Sequence, residues 1–367
     1  MKIILTCIGI SYIVMLSAAP QLPSDLGSNA KLSRNEVIKN RSKDGTLSVK
    51  KNSRTERKEI MNRLQLEKVH EAILKSSTME ERRTALLEMD CLFGRANSEN
   101  SVVLSEFYND CVQRVIAEIK THDKSVPRLW KLYSSGIIVT SGGKVRAFDL
   151  NCGCEDKFKR SRLRLKPEII GALADIIDES YHTHNHSDHF GLELADALLA
   201  RKKRVICTTD MIRDWLLDGA IDSKELQSNE IKVFHSYQRG AVKGPGVPNS
   251  VYILKLKENS HLLVRGDMFD GKDVLALCDY LTENGLRITY AAISPFGTSL
   301  PECSAELRKR YQSIIIPIHE WEFSHRVRGL SGKATQTYSE WYCAFPEEVA
   351  ANRARFLFWG EATSLAE

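Results

Sequence analysis

The chain has 367 residues, of which 43% are hydrophobic and 27% are charged, and these ordinary values exclude a chain that is disordered throughout. Its length allows one large domain with a smaller one beside it. The net charge of +5 is uneven, because residues 31–68 contain twelve Lys or Arg and five Asp or Glu, which leaves −2 for the rest. The positive charge therefore belongs to one N-terminal stretch and does not argue for nucleic-acid binding elsewhere.

The first nineteen residues have the pattern of an export signal. Lys2 precedes an apolar run over residues 3–16, and small residues at 17–19 suit cleavage, although Pro20 is an awkward neighbour for it. No later stretch approaches the length of a transmembrane helix. We therefore expect a signal peptide at residues 1–19 and an exported protein, periplasmic or secreted, with no membrane span after its removal.

Two regions of different composition follow. Residues 20–55 are rich in Ser, Asn, Lys and Arg, which predicts a basic disordered linker. Residues 56–126 carry apolar residues at helical spacing and predict a small helical region of two to four helices. Its apolar stripes favour packing faces, with a partner-binding surface as the alternative. Cys91 and Cys111 form a plausible disulfide there, although buried free thiols are the default expectation.

From residue 127 onwards strands alternate with helices, which predicts an α+β domain over residues 127–367. Strands are expected at 132–140, 144–150, 204–208, 231–234, 251–256, 262–264, 288–293 and 314–318. Helices are expected at 167–177, 192–201, 211–217, 273–281 and 304–310. Two strand-rich halves, each with helices, fit two sheets packed face to face with the helices outside.

The strongest chemical signal is the segment from His184 to His189, which places four potential metal ligands in six positions. His184 and His186 alternate, so an extended backbone points both the same way, while Asp188 and His189 can turn toward a second centre. Imidazole suits zinc, iron and manganese, and a carboxylate among the ligands favours a hydrolytic site over a closed structural one. The alternative is a His-rich surface loop that binds metal fortuitously.

Two later residues can complete such a site. Asp267 follows the predicted strand 262–264, and the glycine before it lets the backbone come close, so its carboxylate can bridge two cations. His319 follows the apolar strand 314–318 at the rim of a sheet. Each is weak evidence alone, because Asp and His are common at strand ends, but their order after the histidine segment makes them reinforce each other.

The order His-x-His-x-Asp-His, then Gly-Asp, then a strand-end histidine resembles the metallo-β-lactamase superfamily over residues 129–325. The residues Ile316-Pro317-Ile318-His319 resemble its L-ascorbate-6-phosphate lactonase subgroup. The resemblance implies a four-layer αββα sandwich with metals at one edge of the two sheets. It also implies that a buried Asp149 orients a metal ligand. The first 125 residues lie outside the resemblance.

The resemblance also implies a set of ligands for two metals. The first metal is assigned His184, His186 and a third histidine, and the second is assigned Asp188, His189 and His319, with Asp267 bridging the two. Many relatives carry the third histidine in a Pro-Gly-His turn.

The third histidine is where this sequence departs from the family. Here Pro245-Gly246 is followed by valine, so His235, after the predicted strand 231–234, is our substitute candidate. His261 is nearer to the Gly-Asp pair but lies in a predicted hairpin turn, which disfavours it. His182 is expected to support the loop, and His325 is either a substrate contact or a surface histidine.

These residues together predict a hydrolase with two divalent cations, with zinc expected and manganese or iron as alternatives. The expected mechanism is attack by a hydroxide that bridges the ions, with Asp188 as the catalytic residue that holds and returns the proton. A small anionic substrate with an ester-like bond, such as a lactone or phosphodiester, is expected because basic residues lie near the site. These are Arg239, Lys243, Arg326, Arg328 and Lys333.

Three other interpretations remain open. A flavodiiron-type oxidoreductase carries Glu where His186 stands, and no flavin-binding domain is evident. An amidohydrolase barrel is suggested by the pair His182 and His184, but the following Asp188-His189 and the opening hairpin argue against it. A non-catalytic scaffold with a partner-binding helical region is favoured by the missing third histidine and disfavoured by six intact ligand positions of seven.

Overall fold

A computed structural model describes residues 53–94, 101–155, 162–238, 246–268, 270–294, 300–323 and 337–366. All of them belong to one compact unit, residues 51–367. The predicted signal peptide and almost all of the predicted linker lie outside the described residues. So do His325 and the five basic residues expected near the site. Within the described part, no helix is both long enough and apolar enough to span a bilayer.

Helices and strands alternate through most of the described chain. The helices are α1 (Ser53–Lys75), α2 (Met79–Phe93), α3 (Ser101–Thr121), α4 (Pro167–Ile176), α5 (Leu192–Ala200), α6 (Thr209–Trp215), α7 (Gly271–Glu283), α8 (Leu300–Tyr311), α9 (Tyr338–Ala344) and α10 (Pro346–Ala350), with a 3₁₀ turn at Ser223–Glu225. The strands are β1 (Arg128–Lys131), β2 (Ile137–Ser141), β3 (Lys144–Phe148), β4 (Gly153–Glu155), β5 (Arg162–Arg164), β6 (Glu179–Tyr181), β7 (Arg204–Cys207), β8 (Ile221–Asp222), β9 (Ile231–Gln238), β10 (Val247–Lys257), β11 (Ser260–Val264), β12 (Ile288–Ile293), β13 (Ile314–Pro317) and β14 (Ala362–Ser364).

The strands of the described residues form two mixed sheets and one short hairpin, which makes the fold α+β. The first sheet has the order β14-β1-β2-β3-β6-β7-β8, the second has the order β13-β12-β11-β10-β9, and β4 pairs with β5. In the second sheet β11, β12 and β13 run parallel, so their carboxyl ends meet at one edge. In the first sheet β6 runs parallel to β3 and β7.

The two sheets share one apolar core. Phe148 and Tyr181 of the first sheet lie in the same buried cluster as Tyr252 and Leu254 of β10. The alternate residues of β10 point the other way and join a second cluster with apolar residues of α7. Strand β10 therefore buries both faces over much of its length, one against the opposite sheet and one under helix α7. The complete four-layer αββα order stays a prediction.

The three N-terminal helices pack on the rest of the unit. Their apolar residues belong to the same cluster as the C-terminal aromatic residues, and Phe93 stacks on Trp359 with ring centroids 4.9 Å apart. Arg82 of α2 donates to the carbonyl of Phe356 at 2.7 Å. The apolar stripes of this region thus serve as packing faces. The boundary expected between residues 126 and 127 stays a prediction.

Three local expectations are wrong. The strand expected at 132–140 begins only at Ile137, as β2, because the chain reverses at Ser134, whose φ is 54°, after the earlier strand β1. Strand β9 continues to Gln238 instead of ending at residue 234. Cys91 and Cys111 are both free thiols, the first exposed and the second buried, so no disulfide joins them.

A buried histidine in the helical region makes stability depend on pH. His70 lies between the rings of Phe107 and Phe358, and its Nδ1 is 3.3 Å from the guanidinium of Arg114. Burial first, and then the charge of Arg114, lower the pKa of His70 from 6.5 to about 4. The unfolded chain therefore binds a proton at a higher pH than the folded chain does.

We expect the stability contributed by a neutral His70 to be fully present above pH 6.5 and to be lost as the pH falls toward 4. The loss should be about 1.4 kcal/mol per pH unit, because protonation favours the unfolded chain. His70→Asn keeps an acceptor toward Arg114 but does not titrate. Urea unfolding at pH 7.5, 5.5 and 4.5 should therefore show a shallower loss for the variant. Parallel curves for both proteins would contradict this prediction.

Candidate metal centre

Three separate segments meet at one edge of the two sheets. Residues 182–189 follow β6 in the first sheet, whereas Asp267 follows β11 and His319 follows β13 in the second. Their side chains form two groups of potential ligands in the described residues, each with its ligand atoms within 4.8 Å of one another. The first group is His184, His186 and Asp267, and the second is Asp188, His189 and His319.

The second group is the tighter of the two. His319 Nε2 lies 2.8 Å from Asp188 Oδ2, and His189 Nε2 lies 3.4 Å from the same oxygen. In the first group His184 Nε2 lies 3.1 Å from His186 Nδ1. All of these side chains are buried except that of His186, which is half-buried. The arrangement therefore gathers imidazoles and carboxylates away from solvent, with one imidazole at its opening.

Asp267 lies between the two groups. Its Oδ2 is 3.5 Å from His319 Nε2, 3.6 Å from His189 Nε2 and 4.0 Å from His184 Nε2. Its other oxygen, Oδ1, is buried and has no hydrogen-bond partner among the described residues. An unpartnered buried carboxylate oxygen is costly unless a cation compensates for it. This position fits the bridging role that the sequence predicts for Asp267.

Gly266 allows the close approach of Asp267 to the histidine segment. Its φ is 63°, a region that side-chain-bearing residues rarely adopt. A Cβ atom at Gly266 would lie 2.5 Å from Asn249 Oδ1 and 2.7 Å from Thr183 Cβ. Glycine is therefore required both by the backbone angle and by the space.

Asp149 fixes the orientation of the histidine segment. Its fully buried carboxylate accepts hydrogen bonds from the Thr183 amide at 2.7 Å, from the Thr183 hydroxyl at 2.8 Å and from His189 Nδ1 at 2.9 Å. Because Nδ1 of His189 donates this hydrogen bond, Nε2 faces the second group. The Thr183 hydroxyl, which donates to Asp149, accepts from His184 Nδ1 at 3.0 Å and orients that ring in the same way.

His182 supports the loop from behind and belongs to neither group. Its Nδ1 donates to the carbonyl of His189 at 3.0 Å, and its ring packs edge-on against Phe190. The hydroxyl of Tyr252 donates to the carbonyl of His182 at 2.9 Å. This placement agrees with the supporting role that the sequence predicts for His182.

The structure brings together six of the seven predicted ligands, and His235 is the exception. Because β9 continues to Gln238, His235 lies within the strand, where its side chain is exposed near Asp222 and Lys224. Gln238 is buried, and its amide donates to Asp267 Oδ2 at 3.2 Å. The odd spacing puts the two side chains on opposite faces of the strand. The structure therefore corrects the expected position of His235 next to the metals.

Little in the sequence around Gln238 points to a place beside Asp267. This glutamine lies at the edge of the glycine-rich segment 238–249, and its role depends on the true end of β9. His261, the disfavoured candidate, is also remote, since its Nδ1 bonds with the carbonyl of Arg287 at 3.0 Å.

The charges of the site are strongly coupled. Burial, together with the charge of His189, holds the pKa of His184 well below its ordinary value. Burial alone would raise the pKa of Asp267, but the attraction of His319 and His189 outweighs it and leaves that pKa well below its ordinary value. Burial opposes protonation of His319, yet the carboxylates of Asp267 and Asp188 raise its pKa to about 9.

Protons on His319 and His189 therefore balance the buried carboxylates as long as no other cation is bound. Metal ligation requires neutral imidazole, so divalent ions in the two groups would replace these protons. The nitrogen and oxygen donors suit zinc, iron or manganese. The donor set and the unpartnered oxygen of Asp267 both fit such ions.

A cavity of about 200 Å³ adjoins Asp188. Its wall includes Cys152, Cys154, Phe190 and Leu192, with Arg164 and Glu193 also lining it. The guanidinium of Arg164 and the carboxylate of Glu193 form an ion pair. Because these two charges cancel, Asp188 is the remaining charged side chain of the cavity wall.

Comparison with known proteins gives matches to solved structures only. No family model and no curated protein matches the chain. An isothiocyanate hydrolase from Delia radicum gut bacteria is 12% identical, with 65% of this chain and 99% of that chain covered and a TM-score of 0.48. The metallo hydrolase Igni18 from Ignicoccus hospitalis is 14% identical, with coverages of 65% and 98% and a TM-score of 0.44.

A third neighbour is an oxidative enzyme. The diiron β-hydroxylase CmlA from Streptomyces venezuelae is 14% identical, with 65% of this chain and 54% of that chain covered and a TM-score of 0.43. The neighbours thus include hydrolases and a hydroxylase. Identity and TM-score are both low, so the proposals below rest on the geometry of this chain.

We expect Asp149→Asn to weaken metal binding, because its amide NH₂ cannot accept all of the bonds from Thr183 and His189. Loss of such an orienting partner typically lowers metal affinity about 10–100-fold. Titration of the purified variant against a chromophoric chelator, with zinc, measures the change. Asp123→Asn changes an exposed residue outside both ligand groups and is the control. It should bind zinc with the affinity of the wild type. Equal affinities for wild type and Asp149→Asn would contradict this orienting role.

Proposed function

We propose that the chain is a hydrolase that depends on two divalent cations and cleaves an ester-like bond. The observation that carries the proposal is the meeting of three distant segments in two buried ligand groups with Asp267 between them. His184, His186 and Asp267 would hold one ion, and Asp188, His189 and His319 would hold the other. When bound, such ions supply Lewis acidity and lower the pKa of water toward about 7.

The protein side chains have separate tasks in this proposal. Asp188 lies in the second group and borders the cavity, so its carboxylate can accept a proton from attacking water and return it to the leaving group. Asp149 keeps His189 in the tautomer that offers Nε2 to the ion. The amide of Gln238 restrains Asp267 through Oδ2.

The proposed substrate is a small molecule with an ester-like bond and an anionic group, such as a lactone or phosphodiester. The cavity beside Asp188 has room for a small group, and its paired Arg164 and Glu193 cancel each other's charge. In this proposal the anionic part is attracted by the cations, and the uncharged part occupies the cavity. We further propose that the chain is exported, which N-terminal sequencing of the mature protein tests.

We expect the purified protein to contain two divalent ions per chain, with zinc as the favoured metal, and to hydrolyse at least one of bis-p-nitrophenyl phosphate, a lactone and nitrocefin. His184→Ala and Asp188→Ala should each lower kcat/KM by about 100-fold or more, a loss of about 2.7 kcal/mol of transition-state stabilisation. Elemental analysis and steady-state kinetics measure both quantities.

His235→Ala is the matched variant, since it removes an imidazole that lies outside both groups. It should keep both ions and full activity, and a loss equal to that of His184→Ala would restore His235 as a ligand. A folded wild-type chain that binds no ion would contradict the proposal and favour the scaffold interpretation. Two bound ions with less than about tenfold loss in both Ala variants would contradict the mechanism.

A further inference from the structure

The segment that carries His319 has an uncommon backbone. His319 has a φ of 78° and Trp321 a φ of 45°, both in the left-handed region. Such conformations cost about 1–3 kcal/mol each in residues other than glycine, and they persist only where the surroundings hold them. The contacts of residues 319–323 therefore decide where the imidazole of His319 lies.

Part of this support comes from the first strands of the α+β region. The amide of His319 donates to the carbonyl of Ser134 at 3.0 Å. The ammonium of Lys131 forms a fully buried ion pair with Glu320 at 2.8 Å, and the indole N–H of Trp359 donates to Glu320 at 3.0 Å. A buried pair of this kind is rigid, because breaking it leaves a buried charge uncompensated.

The rest of the support comes from helix α2. The indole N–H of Trp321 donates to Asp90 Oδ1 at 2.7 Å. Phe93, one turn later in α2, packs edge-on against the rings of Trp321 and Phe323 with centroids 5.5 and 5.4 Å apart. Asp90 also accepts from the amides of Tyr338 and Ser339, at 2.9 and 2.8 Å, so its carboxylate is fixed on both oxygens.

We propose that helix α2 helps to position a ligand of the metal centre. In this proposal Asp90 is a positioning residue for His319 and acts through Trp321. This inference rests on the proposed function, because it gives His319 the role of a ligand in the second group. Asp90 touches neither group itself. It holds Trp321 in the left-handed conformation, and that conformation sets the direction in which His319, two residues earlier, enters the site.

The same helix provides a matched control. Arg82 lies two turns before Asp90 and also binds the α+β region, through the carbonyl of Phe356 at 2.7 Å and Glu361 Oε1 at 3.0 Å. Within the described part of the chain, the guanidinium of Arg82 bonds to Ile73, Phe356 and Glu361 and not to residues 319–323. Loss of Arg82 therefore weakens the attachment of α2 without removing the support of the His319 segment.

The test compares Asp90→Asn, Trp321→Phe and Arg82→Gln in the full chain. Cobalt and zinc titrations against a competing chelator measure the affinity for each of two ions, and the cobalt absorption bands report the imidazole ligands. We expect Asp90→Asn and Trp321→Phe to lower the affinity for one ion about 10–100-fold and to leave the affinity for the other unchanged. The double variant should bind that ion no more weakly than the weaker single variant, because both changes act on the same hydrogen bond between Trp321 and Asp90.

Arg82→Gln should lower the melting temperature but keep both affinities and both cobalt bands. Trp321→Phe retains the packing against Phe93 and keeps the test informative if Asp90→Asn does not fold. Two unchanged affinities in a folded Trp321→Phe protein would overturn the inference, as would an equal loss in Arg82→Gln. If the wild type binds two ions and Asp90→Asn binds them equally well, the inference about Asp90 is overturned and the proposed function is not. A wild type without ions would overturn the proposed function too.

Discussion

The join between the two sheets at one edge is the constraint on which the candidate centre depends. The amide of Ser250 in β10 donates to the carbonyl of Thr183 at 2.8 Å, and the Tyr252 hydroxyl donates to the preceding carbonyl, that of His182. These bonds tie the second sheet to the segment that follows β6 in the first. Without them the ligands from β11 and β13 would have no fixed distance to the histidines. Apolar side chains of both sheets also share one buried cluster, which holds the sheets together.

Burial makes charged side chains in the site costly in free energy, and it makes their stabilisation depend on how the neighbouring groups are oriented. Two carboxylates and three imidazoles are almost fully enclosed, and desolvation disfavours every charged form among them. The site compensates with mutual attraction, and with the carboxylate of Asp149, which accepts three hydrogen bonds. Such a set of donors is poorly satisfied by protons alone, as the unpartnered Oδ1 of Asp267 shows. Divalent cations satisfy it with fewer uncompensated groups, which is the physical basis of the proposed function.

This geometry connects the N-terminal helices to the candidate metal centre. They are outside the segment that resembles the metallo-β-lactamase superfamily, yet α2 contacts the turn that carries His319 through Asp90 and Phe93. A ligand on a left-handed turn needs support from several directions, since its own backbone does not favour the conformation. The helical region supports the turn from one side, and Lys131 of β1 supports it from another through Glu320.

The sequence by itself determined the candidate ligands and the α+β pattern, because metal chemistry restricts the residue types that suit a site such as 184–189 and apolar periodicity reveals buried faces. The positions of α4, α5 and α7 followed from that periodicity. Only the tertiary structure decided that Gln238, and not His235, reaches Asp267. That choice depends on where β9 ends, and a shift of one residue moves a side chain to the other face. The role of Asp90 was also hidden, because a helical aspartate shows no pattern that reveals a partner 231 residues away.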